Sequence, residues 1–186
     1  MSPPLDGELA RRAQAGDREA FEQLIALYLP RVRAFLFRLS GDASRVDDLA
    51  QEVFLAAVRN LRGLDQPMQF GAWIFGIAVR VERARRRPSH GSIDQEGFPE
   101  PADGMPARDG AEQAETSQIV MAAIHRLPTS LRETFLLRHV EELSAADAAR
   151  ALNAPEGTVR RWDFEARQRL REMLEARGLA TERHST

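Results

Sequence analysis

The sequence predicts an all-α protein of two small helical domains joined by a flexible acidic linker. Three observations carry that expectation. Apolar residues recur at three- and four-residue steps over residues 5–87 and again over 117–177, which is the mark of helices with one buried face. No stretch alternates convincingly with period two, so strands are not expected. Between the two helical parts, residues 88–116 are rich in Pro, Gly and acid and carry no apolar period. Such a stretch cannot bury enough surface to fold alone and reads as a linker.

Each element follows in order. Asp17 is placed to cap a helix carrying Phe21, Leu24, Ile25 and Tyr28. Pro30 is expected to kink or interrupt it, with apolar spacing resuming at Val32, Phe35, Leu36 and Leu39. Gly41-Asp42 reads as a stop. The next helix runs from about Ala43 to Leu61 and turns Val46, Leu49, Val53, Ala57 and Leu61 inward. Gly63 and Pro67 punctuate its end. A third helix puts Phe70, Trp73, Ile74, Ile77, Val81 and Ala84 on one stripe and ends in arginines.

Composition bounds the chemistry. The 186 residues hold no cysteine and carry a formal net charge of −2. Disulfides and thiolate metal sites are excluded. The four histidines, His90, His125, His139 and His184, are scattered and form no metal-ligating spacing. Mean hydropathy is −0.41, no apolar run is long enough to span a membrane, and the N-terminus lacks the order of a signal peptide, so a cytoplasmic protein is expected. No nucleophile–base pair or phosphate-cradling glycine loop is visible, so neither an enzyme nor a cofactor is expected. The near-neutral charge speaks against strong DNA binding by the free chain. Its distribution is uneven, however, with Arg80, Arg83, Arg85, Arg86 and Arg87 clustered just before the acidic stretch.

Three motifs carry function. Leu143-Ser144-Ala145-Ala146-Asp147 reads as a capped helix start. A short helix to Leu152 follows, then a turn at Asn153, then a second helix opened by Pro155-Glu156-Gly157-Thr158. That is a helix-turn-helix pattern, with Ala149 at the helix contact and Val159 in the core. Its second helix would enter the major groove; a plain helical hairpin is the competing reading. The second motif is the helix around Asp47-Asp48-Leu49-Ala50-Gln51-Glu52-Val53-Phe54-Leu55, whose outer face carries Asp48, Gln51, Glu52, Leu55 and Arg59. A polar face with an apolar centre can dock a partner, or can simply be solvated. The third is the aromatic stripe ending in arginines, mostly core, with cations suited to phosphates.

DDLAQEVFLAAVRNL, followed by F-x-x-WIFGIAVR-x-x-RARRR, resembles the second conserved region of RNA polymerase sigma factors. LPTSLRETFLLRHVEELSAADAARALNAPEGTVRRW resembles their fourth. The order and the acidic linker resemble the extracytoplasmic-function (ECF) group. The resemblance implies that residues 5–87 bind the polymerase and the −10 element, that 88–116 link, and that 117–177 bind the −35 element. It implies that Asp47, Asp48, Gln51, Glu52 and Leu55 grip the coiled coil of the polymerase clamp. It implies −10 contacts by Phe70, Trp73, Arg80, Arg83, Arg86 and Arg87, where flipped bases are captured. It implies −35 reading by Glu156, Thr158, Arg160 and Arg161. Core polymerase, promoter DNA and an anti-sigma factor are the expected partners, and a stress or envelope-signal regulon the expected setting. The linker acids Asp94, Glu96, Glu100, Asp103, Asp109, Glu112 and Glu115 would thread near the RNA path.

The chain departs from the family pattern in three places. Arg80 stands near a usual asparagine, Asp163 where a leucine is usual, and Glu165 where a basic residue is common. A carboxylate is costly to bury, so Trp162 is expected to fill the core and leave Asp163 in water. Asp163 and Glu165 together favour an alternative, a sigma-like adaptor or decoy that binds an anti-sigma factor but promoter DNA poorly. A helix-turn-helix repressor independent of polymerase is a further alternative.

Overall fold

The structure is a computed structural model that describes residues 4–86 and 111–177. Every regular element among these residues is helical. The first half comprises α1 (Pro4–Gln14), α2 (Arg18–Ser40), α3 (Val46–Asn60) and α4 (Phe70–Arg85). The second comprises α5 (Ala111–Arg126), α6 (Thr129–Phe135), α7 (Ala145–Leu152) and α8 (Glu156–Glu175). Short 3-10 turns fall at Ala43–Arg45, Leu61–Gly63 and Pro67–Gln69, and α6 runs on into a π-helical turn at Leu136–Val140.

The helix ends follow local chemistry. The Asp17 carboxylate accepts a hydrogen bond from the Ala20 N–H and caps α2. Gly41, with φ 72°, closes the same helix in the left-handed region. Pro30 does not interrupt α2, which is continuous from Arg18 to Ser40. Pro30 and Ala26, whose carbonyl loses its helical partner, both lie on the exposed face. On that face the freed carbonyl is open to solvent, so the break expected from sequence is unnecessary. The second half starts earlier than expected: α5 begins at Ala111, so residues 111–116 of the supposed linker are helical. Pro106 is the last proline before it, and nothing after that residue forbids a helix.

Tyr28, Phe35, Phe70 and Phe75 are fully buried and form the aromatic centre of the first half. The Tyr28 and Phe70 rings meet edge to face at 5.1 Å, and Phe35 and Phe75 lie 5.1 Å apart. The α4 stripe differs from expectation at one end. Phe70, Ile74 and Ile77 are buried, but Ala84 is exposed and Glu82 is buried in its place. The Glu82 carboxylate accepts two hydrogen bonds from Arg86, at 2.8 and 3.3 Å, which makes its burial tolerable.

The two halves pack on each other, chiefly through α4 against α7. The contact needs Gly76. A Cβ there would lie 3.1 Å from both Cα and O of Ala151 on α7. At Gly41 a Cβ would lie 2.9 Å from the His125 ring, so the end of α2 also receives the second half closely.

Candidate polymerase and nucleic-acid interfaces

The outer face of α3 is open. Asp47, Asp48, Gln51 and Leu55 are exposed, and Glu52 is half-buried. Val46, Leu49, Val53 and Ala57 turn inward, as their spacing predicts. Asp47 pairs with Arg33 on α2 at 2.8 Å, and Glu52 pairs with Arg85 on α4 at 2.6 Å. Asp47 stays exposed despite its pair, so it faces solvent together with Asp48, Gln51 and Leu55. Val58, which the sequence reading missed, extends the apolar centre: Leu55 and Val58 are 47% and 56% exposed and lie three residues apart on one helix. The available signal was that Val58 falls outside the inward period.

The turn 61–69 and α4 form the second surface. A cavity of about 220 Å³ opens between them, lined by Leu64, Gln66, Gln69, Trp73 and Arg80, with Arg150 of α7 on its far side. Half-buried Trp73 offers part of its ring there, whereas Phe70 does not. Phe70 is 1% exposed and packed between Tyr28 and Trp73, so its expected base contact is corrected to a core role. Burial, and then the neighbouring Arg83, lower the pKa of the Arg80 guanidinium.

The arginines at the end of α4 are already paired. Arg83 forks onto Glu133 of α6 with hydrogen bonds of 2.8 and 2.5 Å. The Glu133 side chain is fully buried, and this pairing raises the pKa of Arg83. Arg86 donates to Glu82 and to Thr129 of α6. Arg87 and the linker acids from Asp94 to Asp109 lie outside the described residues, as do His90 and His184.

The third surface is the helix-turn-helix. Ser144 caps α7 by accepting from the Asp147 N–H at 3.0 Å. Asn153, at φ 52° and ψ 50°, makes the left-handed turn, and α8 follows from Glu156. Ala149 and Val159 are buried where the two helices meet. Arg160 and Arg161 are exposed, and Glu156 and Thr158 are half-buried on the first turn. Arg160 is tethered to Glu156 at 2.5 Å, so two of the four expected reading residues form one unit. Phe164, another residue the sequence reading missed, is 62% exposed one turn farther along α8.

Asp163 is not in water. It is 8% exposed, while Trp162 is only half-buried, which reverses the expectation. Three partners make the burial tolerable: the His139 ring at 2.6 Å and the guanidinium groups of Arg167 at 3.7 Å and Arg138 at 4.0 Å. A buried carboxylate needs such partners, and the π-turn supplies two of them. Glu165 is tethered to Arg169 at 2.7 Å. Both carboxylates are therefore offset by the protein's own cations. Among the described residues no cluster of His, Asp or Glu is arranged to hold a metal ion, and no helix is long and apolar enough to cross a membrane.

Comparison with known proteins agrees with this geometry. Residues 24–88 match the Sigma-70 region 2 family and residues 117–170 match Sigma-70, region 4. The ECF RNA polymerase sigma-E factor of Escherichia coli strain K12 is 34% identical over 177 residues, covering 88% of this chain and 91% of the relative. The RNA polymerase sigma-H factor of Pseudomonas aeruginosa is 32% identical over 181 residues, covering 91% and 94%. The solved structure of CnrH in complex with the cytosolic domain of CnrY superposes with a TM-score of 0.70 at 26% identity, covering 92% of this chain and 98% of that one. Two matching conserved regions and relatives above 30% identity over nearly the full length place the chain in the ECF-type RNA polymerase sigma factors, which bind core polymerase and direct promoter recognition.

Proposed function

We propose that three surfaces divide the work of a sigma factor, each through the residues named above. The α3 strip of Asp47, Asp48, Gln51, Glu52 and Leu55, extended by Val58, docks the clamp coiled coil of core polymerase. Its apolar centre and acidic rim have the composition of a small protein interface. The cavity beside Trp73 and Arg80 takes a flipped base of the −10 strand, with Arg83, Arg86 and Arg87 as phosphate partners. The first turns of α8 enter the major groove at the −35 element. There Arg160 and Arg161 reach base edges or phosphates, Glu156 and Thr158 set the register, and Phe164 meets a thymine methyl.

The observation that carries this reading is the open strip on α3, whose polar and apolar residues face outward without a partner helix. Residues 5–87 act as the polymerase and −10 domain and residues 117–177 as the −35 domain. The chain performs no catalysis of its own. It acts in the cytoplasm, on the nucleoid when bound to polymerase, under an anti-sigma factor that answers a stress or envelope signal. CnrH is solved with the cytosolic domain of CnrY, and this supports a partner of that kind. The decoy reading loses its main support, because Asp163 and Glu165 are each offset by neighbouring arginines. Run-off transcription by core polymerase with and without the protein is the test. Promoter-dependent product appears only with the protein, and its loss in Leu55→Asp ties it to the α3 strip. Equal product without the protein refutes the proposal.

A further inference from the structure

We propose that Gln14, on α1, is a positioning residue for −10 base capture: its side-chain amide fixes the turn whose glutamines face the cavity beside Trp73. None of the residues lining that cavity comes from α1, yet α1 sets how sharply a flipped base is distinguished there. This deepens, and rests on, the reading of the cavity as the −10 site.

The turn from Leu61 to Gln69 hangs between α3 and α4. It contributes Gly63, Leu64, Asp65, Gln66 and Gln69 to the cavity wall. The Gln66 and Gln69 amides each carry two donor hydrogens and an acceptor oxygen, so they can tell one base edge from another. How well they do so depends on where the turn holds them. The turn's own backbone bonds are local. The Leu64 N–H donates to the Leu61 carbonyl at 3.1 Å, and the Gln69 N–H donates to the Gln66 carbonyl at 2.9 Å. Each closes a single 3-10 turn, and neither fixes one turn against the other.

Gln14 ties the turn to the rest of the fold. Half-buried, its Nε2 donates to the Leu61 carbonyl at 3.0 Å and to the Leu64 carbonyl at 2.6 Å. Leu61 follows the last residue of α3, and Leu64 opens the stretch that leads to Gln66. One amide, using both of its hydrogens, therefore locks that stretch to the end of α3. Two turns earlier on α1, Gly7 receives the other end of the same segment. A Cβ at Gly7 would lie 3.0 Å from the Met68 Cα, so the Met68 backbone approaches α1 this closely because residue 7 has no side chain. Braced at Leu64 and at Met68, the chain leaves Gln66 and Gln69 little freedom to drift.

The experiment uses the full chain assembled with core polymerase. Run-off yield is measured on a promoter series in which each −10 position carries each of the four bases in turn. Gln14→Met keeps the length of the side chain and removes both donors, and Gln14→Lys puts donors back at similar reach. Gln14→Met lowers the preference at one −10 position about fivefold, the size of one hydrogen bond lost from the pocket. Gln14→Lys keeps the preference close to that of the parent. Affinity for labelled core is unchanged in both, because Gln14 lies outside the α3 strip. Gly7→Ala, which crowds Met68, weakens the preference at the same position. Were Gln14 only a cap for the end of α3, Gln14→Met would lower yield equally for every base, and that result overturns the proposal. Unchanged preference in Gln14→Met overturns it too, as does the same loss in Gln14→Met and Gln14→Lys. Trp73→Ala separates this proposal from the reading beneath it. If Trp73→Ala leaves the −10 preference intact, the cavity is not the −10 site and the positioning role falls with it. If Trp73→Ala abolishes the preference and Gln14→Met does not, the positioning role alone falls.

Discussion

The outer face of α3 and the arginine end of α4 are both charged helix surfaces of the first half, yet the fold treats them in opposite ways. On α3, Asp48, Gln51 and Leu55 face water, and the acids that are paired are paired within the same half. On α4, Arg83 and Arg86 are tied to α6 of the other half, and α7 walls the adjacent cavity. An exposed strip is ready for a partner at once. A surface that is ion-paired across the molecule is available only after rearrangement. With the roles proposed for the two surfaces, the difference predicts that polymerase docking needs no rearrangement and strand capture does.

The largest expected effect breaks the open side of this comparison. Leu55→Asp lowers affinity for core polymerase by about 2–4 kcal/mol, read by titration with labelled core. Its 47% exposure keeps thermal stability within about 0.5 kcal/mol of the parent. The next effect lies in α8. Asp163→Ala costs about 2 kcal/mol of stability, because it removes charged hydrogen bonding from His139 and the ion pairs to Arg138 and Arg167. Asp163→Leu removes the buried carboxylate and fills its site with a larger apolar side chain, which returns stability to within about 1 kcal/mol of the parent in urea unfolding.

A smaller effect sharpens the closed side. Burial, and then Arg132, push His125 from 6.5 down to about 4. Its ring packs on Gly41, with Arg132 beside it. On unfolding, the ring regains its ordinary value, so the unfolded chain takes up a proton that the fold refuses. Stability is therefore greatest above about pH 6.5 and weakens as pH falls toward 4, by about 1 kcal/mol at pH 5 after allowance for solvent screening. Burial raises Glu141, despite Arg31, and so gives the opposite slope. The His125 effect is best read by urea unfolding of Glu141→Gln as a function of pH, and His125→Gln abolishes it. Of similar size, Phe164→Ala costs about 1 kcal/mol of discrimination at one base pair of the −35 duplex, measured by competition binding. Smallest of all, Arg18→Ala breaks a surface pair to Glu22 and shifts stability by less than about 0.5 kcal/mol.

Local rules read some of this molecule well and fail at identifiable points. Asp17, Gly41, Ser144 and Asn153 end or start helices as their chemistry requires, because a cap depends on a few neighbouring residues. Pro30 misleads because its cost depends on whether the freed carbonyl faces water. Ala84 and Glu82 exchange places because Arg86 makes a buried carboxylate tolerable. Asp163 misleads for the same reason, since its partners His139 and Arg138 come from a turn more than twenty residues away. Phe70 falls on the buried stripe by spacing, the family resemblance alone implies its base contact, and the Tyr28 ring beside it shows that it is spent on the core.

The sequence by itself determined the helices, their inward faces, the outward strip on α3 and the helix-turn-helix, because periodicity and capping are set by residues within a turn or two of each other. Only the tertiary structure decided which charges are free. Arg83 and Arg86 look equally available in the chain, and it is Glu133 and Thr129, brought from the other half, that claim them. A charge is satisfied by whatever lies within a few ångströms in space, and distance along the chain does not reveal that.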